Sequence, residues 1–292
     1  QKLGIEKFDF LIVDWRYIFS IANFFGDFPI PWMIIDRGPP AKKGPLNRLQ
    51  KIQWKRAWKM AGRGARGGFV VSEKHRDFVM GLTGVKDGVE IIPAGSSRNP
   101  FPLEKGNPEK LLNLCYIGQI DRRRGIGKII ELSHCLRERG VDHIIDICGK
   151  GDFEKDLSIK SKEIREIKFH GVKKQNEVFH LLSKSHVGIM PMPDIPVWRV
   201  ASPLKLANYL ASGLAVIGPD HPGNRSSKQG KWNLLKTSDW AGECAESLSV
   251  EIQNGWDGIV SSALRESESL SWDSITARMA GVITRELDST SS

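Results

Sequence analysis

One short segment, from Ser202 to Gly213, combines the residue types of an anion-binding helix. The hydroxyl of Ser202 can cap a helix start, Pro203 suits the first helical position, and Gly213 fits the C′ position. The free N–H groups and the dipole of a helix N-terminus attract an anion, and Lys205 adds a positive charge in that first turn. The alternative is a helix that only covers a sheet, with Lys205 at the surface.

Strand-like and helix-like segments alternate along most of the chain, which is typical of parallel α/β sheets. The first series has predicted strands at 8–14, 29–35, 68–72 and 89–95. The second series has predicted strands at 111–118, 143–151, 167–171, 186–192 and 214–218. Helices are predicted at 46–61, 73–82, 125–140, 176–185 and 202–213, whereas 193–201 is predicted as a loop and 224–238 as a polar segment.

This pattern predicts two Rossmann-like sheets in tandem, with a crevice where the carboxyl ends of their strands face each other. We expect a partial first domain at 1–98, a polar linker at 99–110, a second domain at 111–265 and a C-terminal helix at 266–292. Because the chain begins at Gln1 and runs almost directly into a strand, we expect that a further part of the first domain precedes it.

The composition is that of a globular α/β protein. The 292 residues are 40% hydrophobic and 26% charged, which is enough for two domains with cores. No apolar run approaches the roughly 20 residues of a membrane span. The four cysteines lack the spacing of a metal site or redox motif, so reduced thiols and a cytoplasmic location are expected; they are Cys115, Cys135, Cys148 and Cys244.

The net charge of +9 is concentrated in the N-terminal part. Residues 1–110 carry 19 Lys and Arg against 11 Asp and Glu, whereas 111–292 carry 24 against 23. The segment 37–66 holds ten basic residues and no acidic one, and Trp54 and Trp58 lie among them. A solvated helix face explains such a pattern, but so does peripheral contact with an anionic membrane, which we favour. No recognition motif supports nucleic acid as a partner.

Residues 112–218 resemble the donor-binding domain of the retaining family 4 glycosyltransferases, the glycosyl transferases group 1, which have the GT-B fold. YIGQIDRRRG resembles the glycine–arginine loop of that family, and ICGKG resembles its glycine turn after the second strand. FHGVKKQNEVFHLLSKSHVGIMP and SPLKLANYLASGLAVIG resemble its later strands and its signature helix. Upstream, FVVSEKHRDFV and VEIIPAGSSRNPF resemble the end of its acceptor domain.

The resemblance implies two Rossmann-like domains facing across a cleft, with C-terminal helices that pack back toward the first domain. It also implies a nucleotide diphosphate sugar as donor, with its diphosphate over the N-terminus of the 203–212 helix. No metal and no further cofactor are expected, since cationic side chains and N–H groups would stabilise the leaving nucleotide. The donor-binding residues that it implies are Gly118, Gln119, Arg124, Gly149, Ser202, Pro203, Leu204, Lys205 and Asn208.

Some positions depart from the family pattern. Two glutamates of the family correspond to Val200 and Asn208 here. The uncharged amide of Asn208 forms weaker hydrogen bonds to the ribose hydroxyls than a carboxylate does. The arginine of the glycine–arginine loop is Gln119, while Arg124 is the best match to its lysine. A family histidine would fall near Asp36 and its neighbour Arg37, which either face the cleft or bond locally, so no catalytic residue is assigned.

The resemblance implies a glycosyltransferase of the hexosyltransferase type that transfers sugar with retention of configuration. The acceptor is expected to be a glycan or a lipid-linked glycan at the cytoplasmic membrane face, as in polysaccharide biosynthesis. Two alternatives remain open. A catalytically silent protein would keep the sugar-nucleotide pocket, and a nucleotide-sugar epimerase of the same fold would need an acid–base set that the sequence does not reveal. The sequence does not specify the sugar, the base, the acceptor or the oligomeric state.

Overall fold

A computed structural model of the chain describes residues 7–25, 30–40, 45–226 and 228–289. The chain divides into two compact units. The first unit consists of the residues up to Pro93, the segment Arg199–Ser202 and the residues from Asp273 onward, and the second unit consists of Ala94–Trp198 and Pro203–Trp272. The domain limits expected from the sequence, at 98, 110 and 265, stay predictions.

The first unit contains a four-stranded parallel sheet in the order β1-β2-β3-β4. Its strands are β1 (Leu11–Asp14), β2 (Trp32–Ile35), β3 (Gly68–Val70) and β4 (Val89–Ile91). Its first helices are α1 (Ile18–Phe25), α2 (Pro45–Gly64) and α3 (Glu73–Thr83). The last helix of the chain, α11 (Trp272–Asp288), packs on this sheet, since its Val282 is buried with Met33 and Phe69. The expected packing of the C-terminus on the first domain is confirmed.

The second unit contains a six-stranded parallel sheet in the order β10-β9-β8-β5-β6-β7. Its strands are β5 (Leu112–Ile117), β6 (His143–Cys148), β7 (Ile167–Phe169), β8 (Val187–Ile189), β9 (Ala215–Pro219) and β10 (Asn233–Lys236). The helices are α4 (Gly127–Glu138), α5 (Glu154–Glu163), α6 (Gln175–Lys184), α7 (Pro196–Arg199), α8 (Leu204–Ala211), α9 (Trp240–Asn254) and α10 (Asp257–Ser269). The strand order reverses between β5 and β8, and ligands of such sheets bind beyond the carboxyl ends at this point.

Two segments of the second half differ from the prediction. The predicted loop 193–201 contains the single turn α7. The predicted polar segment 224–238 contains β10, which pairs in parallel with β9 from Asn233 opposite Val216 to Lys236 opposite Pro219. All four residues of β10 are only partly buried. A half-exposed edge strand needs few apolar residues, so its hydrophobic pattern is weak.

The apolar residues of α2 are not all buried. The residues that face the core lie at helical spacing, and they are Trp54, Ala57, Trp58 and Ala61. Three further aliphatic residues of this helix are exposed: Leu46 (68%), Leu49 (59%) and Ile52 (50%). The two tryptophans are therefore core residues of the first unit and cannot contact a membrane, whereas the three aliphatic side chains face solvent.

The cysteines follow the expectation from the sequence. Cys115 and Cys148 are buried in β5 and β6, and all four cysteines of the chain are free thiols. Burial raises the pKa of Cys148 to about 11 and that of Cys244 to about 12. Thiols with raised pKa values are poor nucleophiles at neutral pH, so these two residues act as small core residues.

Candidate functional site

Two glycine turns end neighbouring strands at the carboxyl edge of the second sheet. β5 and β6 are in register up to Ile117 opposite Cys148, and Gly118 N donates to the carbonyl of Cys148 at 3.0 Å. Gly118 and Gly149 have φ values of +130° and +146°, which side chains rarely tolerate. A Cβ on Gly149 would lie 1.7 Å from the carbonyl oxygen of Gly118, so only glycine fits there. The two predicted glycines are thus brought together at the carboxyl ends of β5 and β6, beside the point where the strand order reverses.

Lys205, in the first turn of α8, lies beside these turns. Its side chain is 9% exposed, and its ammonium donates to the hydroxyl of Tyr116 at 3.2 Å. The ammonium also lies 4.2 Å from the centroid of the Tyr116 ring, within the range of a cation–π contact. The position that a Cβ of Gly118 would occupy lies 3.5 Å from the same ammonium. A side chain at position 118 would therefore cover the charged group.

The charge of Lys205 is not balanced by an acidic group. Burial, and next the positive charge of Arg124, lower the pKa of Lys205 to about 7. Within the part of the chain that the structure describes, no carboxylate contacts this ammonium. A buried cation beside a second cation is unfavourable unless an anion approaches both. The site is therefore suited to bind an anion.

Arg124 is held in place by three neighbours. Its Nη2 donates to Oε1 of Gln119 at 2.6 Å, its Nε lies 3.5 Å from Oδ2 of Asp121, and its guanidinium lies 4.7 Å from the ring centroid of Trp198. The bond from Arg124 fixes the amide of Gln119 so that its Nε2 is free to donate elsewhere. Arg122 is turned away, because it pairs with Asp156. Of the three consecutive arginines, it is Arg124 that lowers the pKa of Lys205.

The start of α8 differs by one residue from the prediction. The helix begins at Leu204, and Pro203 takes the cap position with φ −73° and ψ 122°, without a side-chain capping bond. Ser202 is therefore not the N-cap residue, and it belongs to the first unit. The first N–H groups of a helix have no intrahelical acceptor, which leaves those of Leu204 and Lys205 for a ligand. The predicted C′ glycine, Gly213, has φ +66° and is confirmed.

Asn208 lies one turn further along α8 and is half buried. The hydroxyl of Ser96 donates to its Oδ1 at 2.6 Å. Because the carbonyl of the amide is engaged, its NH₂ group is the end that can reach a ligand. Asn208 can therefore donate a hydrogen bond to a ligand hydroxyl, whereas the glutamate of the family would accept one from it.

Three neighbours of this site were not singled out in the sequence: Tyr116, Trp198 and Ser96. Tyr116 supports Lys205, and its hydroxyl donates to the carbonyl of Gln119 at 2.5 Å. Burial raises the pKa of the Tyr116 phenol, so it stays protonated and can make that bond. The signal that could have revealed Tyr116 is its place two residues before Gly118, at the end of a core strand.

Asp36 of the first unit does not face a ligand. It is completely buried, and its Oδ2 accepts from the indole N–H groups of Trp54 at 2.5 Å and Trp58 at 2.8 Å. Nε2 of His75 lies 3.2 Å from the same oxygen. Burial raises the pKa of Asp36, but the contacts with His75, Trp58 and the backbone of Gly38 outweigh it and hold the pKa below its usual range. The carboxylate thus anchors α2 to the sheet, and the adjacent Arg37 is exposed.

The histidines of the second unit have structural partners. Nε2 of His170 bonds Oδ1 of Asp146 at 2.6 Å, and Nε2 of His186 bonds the carbonyl of Gly106 at 2.8 Å. His221 is 1% exposed, with its ring bonded to the carbonyl of Met192 and the N–H of Gly223. None of the three presents a free imidazole at the glycine turns.

Residues 112–254, just under half of the chain, match the family model described as Glycosyl transferases group 1. The match covers both glycine turns, α8 and the reversal of strand order in the second unit. No curated protein is similar enough in sequence to match the chain.

Several solved structures have a similar fold at low sequence identity. Sucrose-phosphate synthase from Thermosynechococcus elongatus is 15% identical with a TM-score of 0.73, over 97% of this chain and 75% of its own. Anabaena Alr3699/HepE, in complex with UDP and glucose, is 14% identical with a TM-score of 0.72, over 96% and 79%. The pneumococcal O-GlcNAc transferase GtfA, in complex with UDP and GlcNAc, is 14% identical with a TM-score of 0.67, over 94% and 57%.

The chain thus spans about three quarters of the first two of these proteins and little more than half of the third. At these identities the similarity concerns the fold: two Rossmann-like units, each with a parallel sheet, as in GT-B glycosyltransferases. Residues 112–254 are therefore similar to the glycosyl transferases group 1 model, within a chain of the GT-B fold.

Proposed function

We propose that this chain is a glycosyltransferase that transfers a hexose from a nucleotide diphosphate sugar to a glycan or lipid-linked acceptor, with retention of configuration. Three observations support the donor class. Residues 112–254 match the glycosyltransferase family, the fold is GT-B, and two similar structures were solved with UDP. The second unit supplies the donor site, at the carboxyl ends of β5 and β6.

The buried ammonium of Lys205, which contacts Tyr116 and no described carboxylate, is the observation that carries this proposal. The donor diphosphate would lie over the first turn of α8, between the side chains of Lys205 and Arg124 and the N–H groups of Leu204 and Lys205. Gly118 and Gly149 would allow the backbone to approach it. Asn208 would donate to the ribose hydroxyls, and Nε2 of Gln119 would donate to a phosphate or sugar oxygen.

The same groups have a role in the reaction. When the glycosidic bond to the donor breaks, negative charge develops on the leaving nucleoside diphosphate. Fixed cations and N–H groups stabilise this charge more in the transition state than in the bound donor, and this requires neither a metal ion nor a further cofactor. The proposed transferase is therefore metal-independent.

The acceptor side is proposed to lie at the cytoplasmic face of a membrane. Within the described residues, no helix is long and apolar enough to cross a bilayer. The N-terminal half of α2 instead exposes Leu46, Leu49 and Ile52 among cations, as interfacial helices do. This peripheral contact belongs to the region 37–66, of which 41–44, with Lys42 and Lys43, lies outside the described residues.

Titration of the chain with UDP and GDP tests the donor site directly. We expect one of the two nucleotides to bind, because the bases differ in their contacts while the diphosphate is shared. Absence of binding by both would contradict the donor site. Release or transfer of sugar from the corresponding nucleotide sugar then tests the activity.

A catalytically silent sugar-nucleotide-binding protein is the second candidate, and two replacements favour it. Gln119 and Asn208 stand where the family has an arginine and a glutamate, so the donor is held by fewer charges. This protein would bind nucleotide without hydrolysing or transferring the sugar. Nucleotide binding together with transfer to any acceptor would exclude it.

A further inference from the structure

A second basic site lies in the first unit, on the opposite edge of its sheet from the carboxyl ends of the strands. A cleft of about 630 Å³ opens where α2 and α3 end and β3 and β4 begin. This volume is within the range of small-molecule sites. Four cationic side chains line it, namely Lys59, Arg63, Arg66 and Lys86, together with one carboxylate, Asp87.

These cations have no anionic partner in the described part of the chain. None of the four forms an ion pair there, although all are exposed and could turn toward a carboxylate. Arg63, in the last turn of α2, also complements the helix dipole. The ends of α2 and α3 together contribute only about one negative charge, because each helix end is equivalent to roughly half a charge. The four positive charges therefore exceed the negative charges of Asp87 and of the two helix ends, and the cleft has a net positive charge.

Two glycines in the lining of the cleft pack closely against neighbouring segments. Gly67 has φ +144°, and a Cβ there would lie 2.1 Å from the carbonyl oxygen of Gly88. Gly62 approaches the loop after α3 so closely that a Cβ would lie 2.8 Å from Cγ2 of Val85. These close contacts hold the end of α2 and β3 against the segment after α3, so that cations from both segments line one cleft.

We infer that this cleft binds the phosphate groups of an anionic ligand, which either is soluble or projects from a lipid surface. Arg63 and Arg66 offer planar guanidinium groups that can bind phosphate oxygens in pairs, and Lys59 and Lys86 add point charges. The cleft lies about 20 Å along α2 from Leu49, given a rise of about 1.5 Å per residue. The cleft therefore differs in place and chemistry from the exposed side chains of Leu46, Leu49 and Ile52, which form the aliphatic patch of α2. The inference does not depend on donor binding by the second unit.

Calorimetric titration of the whole chain with tripolyphosphate at low ionic strength tests this inference, with Lys205→Ala present in every protein so that the proposed donor site takes up little of the probe. We expect binding that the double variant Arg63→Ala/Arg66→Ala weakens at least tenfold. The matched control, Lys155→Ala/Lys168→Ala, removes two exposed charges from the second unit and should weaken it less than threefold. UDP affinity, measured in parallel with Lys205 intact, should be the same in the wild type and in the two double variants, so that failure of the donor site is recognised separately.

The source of the phosphate is distinguished by competition with vesicles of phosphatidylglycerol and phosphatidylcholine. Displacement of tripolyphosphate by the vesicles would indicate a lipid-borne phosphate, and retention would indicate a soluble ligand; both outcomes support the cleft. Absence of tripolyphosphate binding would overturn the inference. An equal loss of affinity in the two double variants would also overturn it, because the probe would then respond only to the net charge of the protein.

Discussion

The ammonium of Lys205 rests on Tyr116, 4.2 Å from the ring centroid and 3.2 Å from the hydroxyl. An aromatic face and a neutral hydroxyl stabilise a cation less than a carboxylate would, so the charge stays available to a ligand. The same hydroxyl donates to the carbonyl of Gln119, which ties Lys205 to the glycine turn. This arrangement makes the donor site testable by single substitutions.

Lys205→Ala should weaken UDP binding by about 10- to 100-fold and uridine binding by less than twofold. The reason is that a charge-assisted bond contributes about 1.5–3 kcal/mol, and only the diphosphate would receive it. Calorimetric titration with both ligands measures the difference. Lys168→Ala, on the exposed face of β7, serves as the control and should leave both affinities unchanged. An equal loss of uridine and UDP affinity would place Lys205 away from the phosphates.

Binding of a nucleotide sugar should take up a proton at pH 8. Burial, and next Arg124, lower the pKa of Lys205 to about 7, so much of the ammonium is deprotonated at pH 8 without ligand. The diphosphate favours the charged form and raises this pKa again, whereas at pH 6 the group is already charged and the uptake should vanish. Titration with UDP-glucose in two buffers of different ionisation enthalpy measures the protons. Uptake that persists in Lys205→Met would assign the proton to another group.

The same lysine should make the ligand-free protein more stable as the pH rises from about 7 toward 10. The unfolded chain keeps the lysine protonated up to its ordinary pKa of 10.5, so it binds more protons than the folded chain in this window. Urea unfolding of the wild type and Lys205→Met at pH 6.5 and 9 gives the comparison. The wild type should gain stability relative to the variant at pH 9, and an opposite trend would contradict the lowered pKa.

Asn208→Glu should tighten nucleoside binding about fivefold. The charged acceptor makes stronger bonds to ribose hydroxyls than the amide does, by about 1 kcal/mol. Ser96 can still donate to the new carboxylate, as it now donates to Oδ1 of Asn208. Asn208→Gln, which adds the same length without charge, is the matched control and should bind no more tightly than the wild type. If both variants weaken uridine equally, position 208 does not face the ribose.

The sequence allowed the prediction of regular, strongly patterned features. The strands β5, β6 and β9, the C′ glycine Gly213 and the two α/β series follow from apolar runs and turn residues, whereas the GT-B architecture was implied by the family resemblance. Features that depend on long-range contacts could not be predicted from the sequence. The edge strand β10 has a weak pattern, and the burial of His221 depends on carbonyls of a distant loop.

The orientation of α2 shows the limit most clearly. The spacing of Leu46, Leu49 and Ile52 is compatible with a buried stripe, and nothing local favours the tryptophan face over it. Asp36, whose carboxylate binds both Trp54 and Trp58, selects the face that is buried. Such a bond joins residues 18 or more positions apart, so periodicity cannot reveal it.

Asp36→Asn should therefore lower the free energy of unfolding by about 2–4 kcal/mol, because two buried indole donors lose a charged acceptor. Urea denaturation at pH 7 measures the loss. Asp14→Asn, which removes an ion pair with the exposed Arg16, should cost less than about 1 kcal/mol. The pKa of Asp36 is lower in the folded chain than its ordinary value of 3.8. The carboxylate therefore stabilises the fold above pH 3.8, and this stability is lost as the pH falls toward the folded pKa. The difference in stability between Asp36→Asn and the wild type should accordingly shrink below about pH 4.

The aliphatic patch of α2 leads to a prediction about membrane contact. Replacing Leu46, Leu49 and Ile52 together by serine should reduce binding to phosphatidylglycerol vesicles at least tenfold, since burying one such side chain contributes about 1.5–3 kcal/mol. Co-sedimentation with vesicles measures the bound fraction, and urea denaturation should show little change, because the three residues are 50–68% exposed.

The matched control for the patch replaces three equally exposed aliphatic residues of the second unit by serine: Ile159 (58%), Val172 (67%) and Val250 (50%). Vesicle binding by this variant should equal that of the wild type, because these residues do not lie on a basic helix. If both triple variants lose binding equally, or if the wild type does not bind the vesicles, α2 is a solvated helix face and the acceptor reaches the protein without it. A loss confined to the α2 variant would place the first unit on the membrane through aliphatic insertion, since its cations are unchanged.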